Sequence, residues 1–279
     1  MEQPLETGVQ AYCGTDAGAE TISDAEHAAV QTGLSLITVR NAKKIYRVGS
    51  VDIQALRGVD LTIEAGELCC IIGRSGSGKS TLLNVLAGLE HVTSGELIIA
   101  GKRLDRMNQS ELIRFRQQHI GFIFQSFNLM PYYTALENVA FPLAFRGVPA
   151  YKRNRMAANM LKLVGLETHM KHKPSQMSGG QQQRVGIARA LVTDPDIVFA
   201  DEPTGNLDSN TSDDVMNSIC DVMRARNKTL VMVTHDPHMA EFADKVIQIL
   251  DGKVVSIEYN DHSNSKTKKA EVEQGEETA

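Results

Sequence analysis

The 279-residue sequence predicts an α/β fold with an antiparallel β region at the front and a helical insertion further along. Three observations predict it. From Ser35, "SLITVRNAKKIYRV" and "VDLTIEAGEL" alternate apolar and polar residues, as half-buried strands do. "DIVFADE" and "TLVMVTHD" are short apolar runs that finish on polar groups, the pattern of buried parallel strands at their C-terminal ends. Between Ser110 and Pro174 the apolar spacing turns mostly helical.

Taken in order, residues 1–34 mix Ala, Gly, Thr and acids without periodicity and read as a weakly ordered arm. The main domain is expected over 35–259, with turns at Gly49, Gly58 and Gly66 in its β region. "LCCII" enters a glycine-rich loop and "STLLNVLAGL" leaves it as a helix ending near Gly88. The helical subdomain, about 110–174, starts with "SELIRFRQQ", in which Ser110 reads as the cap, and contains the amphipathic "YKRNRMAANMLKLVGL". "KVIQILDGKVVSIE" predicts a hairpin turning at Asp251 and Gly252, and the polar stretch 260–279 reads as a disordered tail.

Composition narrows the function classes. A net charge of -5 with 42% hydrophobic and 23% charged residues is that of an ordinary globular protein and argues against nucleic acid as a partner. No run of eighteen apolar residues occurs, so a membrane role requires another protein, and the first basic residue is Arg40, so no secretory signal is expected. Cys13, Cys69, Cys70 and Cys220 lack metal-ligand spacing, and Cys69 and Cys70 point to opposite faces of one strand, which suits reduced, buried thiols.

The chemistry sits in the loop "GRSGSGKST", residues Gly73, Arg74, Ser75, Gly76, Ser77, Gly78, Lys79, Ser80 and Thr81. Its spacing fits G-x-x-x-x-G-K-[ST], in which backbone N–H groups and the positive end of a helix hold phosphate oxygens. Lys79 supplies a point charge at the β- and γ-phosphates, Ser80 a ligand for Mg²⁺, and Thr81 support on the α-phosphate side. A second glycine-bearing helix start, Ser178, Gly179, Gly180 and Gln181, reads either as another anion site or simply as a well-built helix start. "IVFADEPTGNLD" places Asp201 to hold Mg²⁺ through water and Glu202 to orient or deprotonate an attacking water. Two acids at a buried strand end are otherwise costly.

The loop 73–81, Gln125 in "FIFQSFNLMP", "MSGGQ", "DEPTGNLD" and His235 in "MVTHD" occur in that order, and together they resemble the ATP-binding subunit of ABC transporters over about residues 36–257. The resemblance implies a P-loop NTPase (RecA-like) core carrying an antiparallel β subdomain and an inserted helical subdomain. It implies ATP hydrolysis with ATP and Mg²⁺, with Gln125 on Mg²⁺ and sensing the transporter and His235 on the γ-phosphate. It further implies Asp208 across a dimer interface and Tyr46 stacked on adenine. A second copy would complete each nucleotide site through its Ser178 region, and an integral membrane permease would hold the protein at the cytoplasmic face of the membrane.

"FQSFNLMPYYTALENVAFPL" and "ADEPTGNLD" are similar to the subfamily of macrolide and peptide exporters, lipoprotein-release ATPases and the bacterial cell-division ATPase. Met177, where leucine is usual, and Ser212, where glycine is frequent, depart from that pattern. Export of a peptide, antibiotic or lipid-like substrate by mechanotransmission is the expectation, with mechanical control of cell-wall hydrolases as the alternative. A soluble ABC protein acting on DNA or ribosomes would carry a coiled-coil insertion or a tandem cassette, neither of which is seen.

Overall fold

A computed structural model describes residues 35–260. The arm expected over 1–34, Cys13 and all but Asn260 of the expected tail lie outside the described residues.

Two sheets form the frame. Strands β1 (Ser35–Val48), β2 (Val51–Glu64), β4 (Ser94–Ile99) and β5 (Lys102–Arg103) make an antiparallel sheet in the order β2-β1-β4-β5. Strands β3 (Leu68–Ile72), β6 (Ile120–Ile123), β7 (Ile197–Asp201), β8 (Thr229–Thr234), β9 (Lys245–Leu250) and β10 (Lys253–Tyr259) make the second, in the order β10-β9-β3-β8-β7-β6. All neighbours in this second sheet run parallel except β10, which returns antiparallel beside β9. The helices are α1 (Lys79–Leu86), α2 (Gln109–His119), α3 (Ala135–Phe145), α4 (Ala150–Leu163), α5 (Gly179–Leu191) and α6 (Ser209–Ala225).

The period of two along the parallel strands divides the interior into two cores. Cys70, Val198, Ala200, Leu230 and Met232 face one core with the apolar sides of α3, α4, α5 and α6. Cys69, Ile71, Phe199, Val231 and Val233 face the other, with α1, α2 and the antiparallel sheet. Cys69 and Cys70 thus lie on opposite faces, both fully buried, and burial pushes the Cys70 thiol up to about 12.

Three local expectations change. Gly58 does not make a turn: it lies inside β2 at φ 94, opposite Asn41 at φ 47, where the β1–β2 register shifts. A Cβ there would fall 2.8 Å from Asn41 Oδ1, so glycine lets the bulge close. The cap of α2 is Asn108 rather than Ser110, because Asn108 Oδ1 accepts from Glu111 N while Glu111 Oε2 accepts from Asn108 N, a reciprocal pair that Ser110 cannot form. The stretch from 110 is not helical throughout either: Ile120–Ile123 forms β6 and pairs with β7 at the edge of the parallel sheet.

Phe199, in β7, is the largest of the fully buried side chains and faces the core shared with α1, α2 and the antiparallel sheet. Phe199→Ala is expected to lower unfolding stability by about 3–5 kcal/mol in chemical denaturation. A loss under about 1 kcal/mol would show that this layer can collapse around the cavity.

Candidate functional site: a phosphate loop beside a carboxylate–histidine pair

The loop between β3 and α1 is held on two sides. Gly78, at φ 100 and ψ 7, caps α1 in the left-handed region, and a Cβ on it would fall 2.6 Å from Ala55 O in β2. A Cβ on Gly73 would fall 2.4 Å from Ile249 O in β9. The β9–β10 turn closes the frame: Gly252 N donates to Ser77 O at 2.9 Å and Arg57 N donates to Gly252 O at 2.8 Å. Lys79 is only 7% exposed, and its ammonium donates to Gly73 O at 2.8 Å and Arg74 O at 3.0 Å. Two of its three donors are used there, leaving one for a ligand. Arg74, Ser75, Gly76 and Ser80 are exposed along the rim, and Ser77 Oγ is buried with no partner.

Tyr46 stands beside the start of α1, with Thr81 a hydrogen-bonding neighbour. Its hydroxyl donates to Glu90 Oε2 at 2.6 Å, and Lys44 Nζ lies 3.1 Å from the same oxygen and 5.1 Å from the ring centroid. Burial and the Glu90 carboxylate both raise the phenol's pKa. Burial alone would raise the Glu90 carboxyl, but bonds from Tyr46, Lys44 and Asn84 outweigh it and hold it low. The tyrosine ring is thereby fixed in place by charge-assisted contacts.

The acids follow β7. Asp201 is half-buried near Lys79, and its carboxyl is pushed up by burial and by the Glu202 charge, with Lys79 opposing. Glu202 takes φ 42, an uncommon conformation for a side chain of its size, and donates its N–H to Val233 O in β8 at 3.0 Å. Its Oε1 lies 2.9 Å from His235 Nδ1, just past the end of β8. Gln125, after β6, reaches the same place: a Cβ on Gly205 would lie 2.8 Å from Gln125 Nε2 and 3.3 Å from Glu202 Oε2. Asn206 Nδ2 anchors the segment by donating to Gln125 O at 2.9 Å. Among the described residues no three His, Cys, Asp or Glu side chains converge on a metal position, so a cation here would need hydroxyl, amide and ligand oxygens as well.

The second glycine-bearing helix start is built as a capping box. Ser178 Oγ accepts from Gln181 N at 3.3 Å, and Gln181 Oε1 accepts from Ser178 N at 3.0 Å. Gly179 and Gly180 let α5 press against α6 and its approach: Cβ atoms there would meet Leu207 Cδ2 at 3.1 Å and Thr211 Cγ2 at 2.5 Å. Asp208 caps α6, accepting from Thr211 N at 3.0 Å, which holds its carboxyl low. Among the described residues, no hydrogen bond or ion pair joins Ser178, Gly179, Gly180 or Gln181 to the loop 73–81.

The chain therefore brings together loop 73–81, Tyr46, Asp201, Glu202, His235 and Gln125, and keeps Ser178–Gln181 and Asp208 as a separate cluster. Sequence reasoning missed Glu90 and Lys44, which have no local pattern, being 44 and 2 residues from Tyr46. It also missed Arg189, whose guanidinium donates to Phe127 O at 2.7 Å and Asn128 O at 2.5 Å. Those carbonyls belong to two consecutive left-handed residues just after Gln125, at φ 59 and 47. An arginine in an apolar helical stripe was the available signal.

A strand-to-helix phosphate loop facing paired acids at the ends of parallel strands defines a P-loop nucleotide-hydrolase core. Residues 56–205, over half the sequence, match the family model described as ABC transporter, and the chain belongs to that family as an ATP-binding, ATPase domain. It is 44% identical over 219 residues to the lipoprotein-releasing system ATP-binding protein LolD of Psychrobacter arcticus, covering 78% of this chain and 97% of LolD. It is 43% identical over 221 residues to the macrolide export ATP-binding/permease protein MacB of Hyphomonas neptunium, covering 79% of this chain but 34% of MacB. The ATP-binding cassette MJ0796, in a dimeric post-hydrolysis state bound to ADP and Pi, superposes with a TM-score of 0.74 at 43% identity, over 80% of this chain and 98% of that one.

The raised carboxyl of Asp201 has a consequence for stability. A folded-state pKa above the unfolded value of about 4 means that folding favours the neutral acid, so stability is lost as pH rises through the folded value. Asp201→Asn is expected to raise the melting midpoint of nucleotide-free chain at pH 7.5 by about 2–4 °C, with the gap closing near pH 4. An unchanged or lower midpoint at pH 7.5 would contradict the burial of this charge.

Proposed function

We propose that the chain is the ATP-hydrolysing subunit of an export complex, joined at the cytoplasmic face of the membrane by an integral permease and working as a nucleotide-closed pair of copies. The observation that carries the reading is the separation just described: the phosphate loop and the Glu202–His235 pair share one place, while the Ser178 start is engaged with its own helix, with His169, and with α6 and the residues before it. A second copy related by a two-fold axis can bring its Ser178, Gly179, Gly180 and Gln181 against the first copy's loop, and a two-fold contact makes both sites at once. The dimeric MJ0796 cassette supports this arrangement.

The site fits a magnesium nucleotide. The orphaned Ser77 Oγ, the free ammonium donor of Lys79 and the α1 terminus are all suited to phosphate oxygens. Ser80, Gln125 and Asp201 are the residues that would hold Mg²⁺, whose charge offsets that building up between the β- and γ-phosphates. Lys79 binds the β- and γ-phosphates, and Thr81 supports the α-phosphate side. Tyr46, fixed by Glu90, offers its ring to adenine. Glu202 orients or deprotonates the attacking water, and His235, bonded to Glu202, reaches the γ-phosphate. Asp208 lies at the contact between copies.

ATP favours the closed pair because only there do both helix starts engage the γ-phosphate, and hydrolysis removes that preference. The permease docks near Gln125 and the segment 126–139, and turns closing and opening into work on a peptide, antibiotic or lipid-like substrate. The MacB and LolD relatives support this substrate range. Domain limits of 35–259, with the helical subdomain beginning after β6, complete the reading.

Glu202→Gln should retain ATP binding while steady-state hydrolysis falls by about 10²-fold or more. Normal turnover in that variant would remove Glu202 from its role. Lys79→Ala should weaken ATP affinity in a titration, and unchanged affinity would argue against the phosphate-loop assignment.

A further inference from the structure

His169, on the short turn Glu167–His169 that follows α4, lies against the Ser178 helix start. Its Nε2 is 3.2 Å from Gln181 Nε2, and its Nδ1 is 3.0 Å from Thr168 Oγ1. The direction of these bonds follows from one backbone group. Ser178 N–H can only donate, so the Gln181 atom facing it at 3.0 Å is the amide oxygen. The NH₂ group of Gln181 therefore faces His169, and an NH₂ can only donate. Nε2 of His169 must accept, so the ring is neutral with its proton on Nδ1, donated to Thr168 Oγ1.

From this chain of bonds we infer that neutral His169 is a positioning residue for the Ser178 helix start, acting through Gln181, and that protonating it releases the start. A protonated ring has donors at both nitrogens and would face the Gln181 NH₂ donor to donor. Turning the amide over to satisfy the imidazolium takes its oxygen from Ser178 N–H and opens the capping box. The inference rests on the proposed role of that start in closing two copies on ATP.

The surroundings do not supply a counter-charge. Among the described residues, neither ring nitrogen of His169 lies within ion-pairing distance of a carboxylate. Glu167, on the same turn, is paired with Lys162 of α4 at 2.5 Å. Glu137 of α3 is held by Thr134 and interacts with Lys173, and Arg184 of α5 donates to Val164 O. His172, whose ring centroid is 5.0 Å away and whose Nδ1 is buried without a partner, is the other titratable group at this face. Lys171, between the two histidines, is exposed.

The test measures the Mg-ATP-dependent monomer–dimer equilibrium of the full chain by sedimentation, at pH 7.5 and pH 5.8, in the Glu202→Gln background. ATP affinity is measured in parallel. Acidification across this range acts on histidines in general, so the comparison is between variants at position 169. With His169 present, the dimer should weaken by about tenfold on acidification, the loss expected for one hydrogen bond at each of two starts. His169→Phe should be weakened by a similar factor already at pH 7.5, with ATP affinity unchanged. His169→Gln, whose amide oxygen can accept from Gln181 at either pH, should dimerise as His169 does at pH 7.5 and keep most of that strength at pH 5.8. An acid loss of the same size in His169→Gln assigns the effect to another group, such as His172, and overturns the inference, as does full-strength dimerisation of His169→Phe. Failure of the His169 protein to dimerise at pH 7.5 overturns instead the two-copy reading and the inference with it.

Discussion

The structure depends on a loop whose two ends have no space to relax. Residues 73–81 pass between the backbone of β2, at Ala55, and that of β9, at Ile249, at distances that exclude a Cβ on either Gly73 or Gly78. The β9–β10 turn locks the arrangement by bonding both Ser77 and Arg57. An anion site needs N–H groups aimed outward and held still, because donors that must reorganise on binding give back part of what they contribute. Here the two sheets do the holding. The loop is a joint between them as much as a binding element, and the antiparallel sheet has a direct reason to be where it is.

The same economy governs the acids. Parallel strands β3, β7 and β8 end at one edge, so Lys79 lies near Asp201, and Glu202 beside His235, without any long side chain having to bridge the core. Asp201 and Glu202 are adjacent carboxylates with one nearby ammonium, a charge arrangement that burial makes unfavourable until a cation or a ligand joins it. Glu202 adds a left-handed backbone, which the turn to Gly205 and the bond to Val233 O hold in place. Strain and excess charge are thus concentrated where nucleotide is expected to bind. The Ser178 cluster is the opposite case, with its polar groups satisfied by one another and by His169 and its glycines filled by α6 and the residues before it.

Much of this was legible in the sequence, for reasons particular residues make plain. Period-two alternation placed Cys69 and Cys70 on opposite faces, and the apolar runs ending in Asp201 and Thr234 marked strand ends because a buried strand exposes polar groups only where it stops. Gly252 was legible because a left-handed turn leaves few other choices, and Gly78 through the spacing of its loop. Gly58 misled because a glycine in a bulge and a glycine in a turn look alike until the partner strand is known. Ser110 misled because Asn108, two residues earlier, makes a better cap with Glu111. β6 was hidden because four residues carry too little period to interrupt a helical pattern. Glu90 and His169 could not be read at all, and Arg189 only as a charge in an apolar stripe: each acts on residues distant in sequence, or through a bond whose direction only the geometry fixes.

The central claim is that each catalytic site takes its phosphate loop from one copy and its Ser178 helix start from another. Mixing Lys79→Ala chains with Gly179→Asp chains tests it most directly, since each variant alone lacks one half of every site. Hydrolysis that appears on mixing, when neither variant shows it alone, is the predicted result, because the mixed pair contains one site with both halves intact. A mixture that stays at the sum of its two inactive components would mean that both halves belong to the same chain.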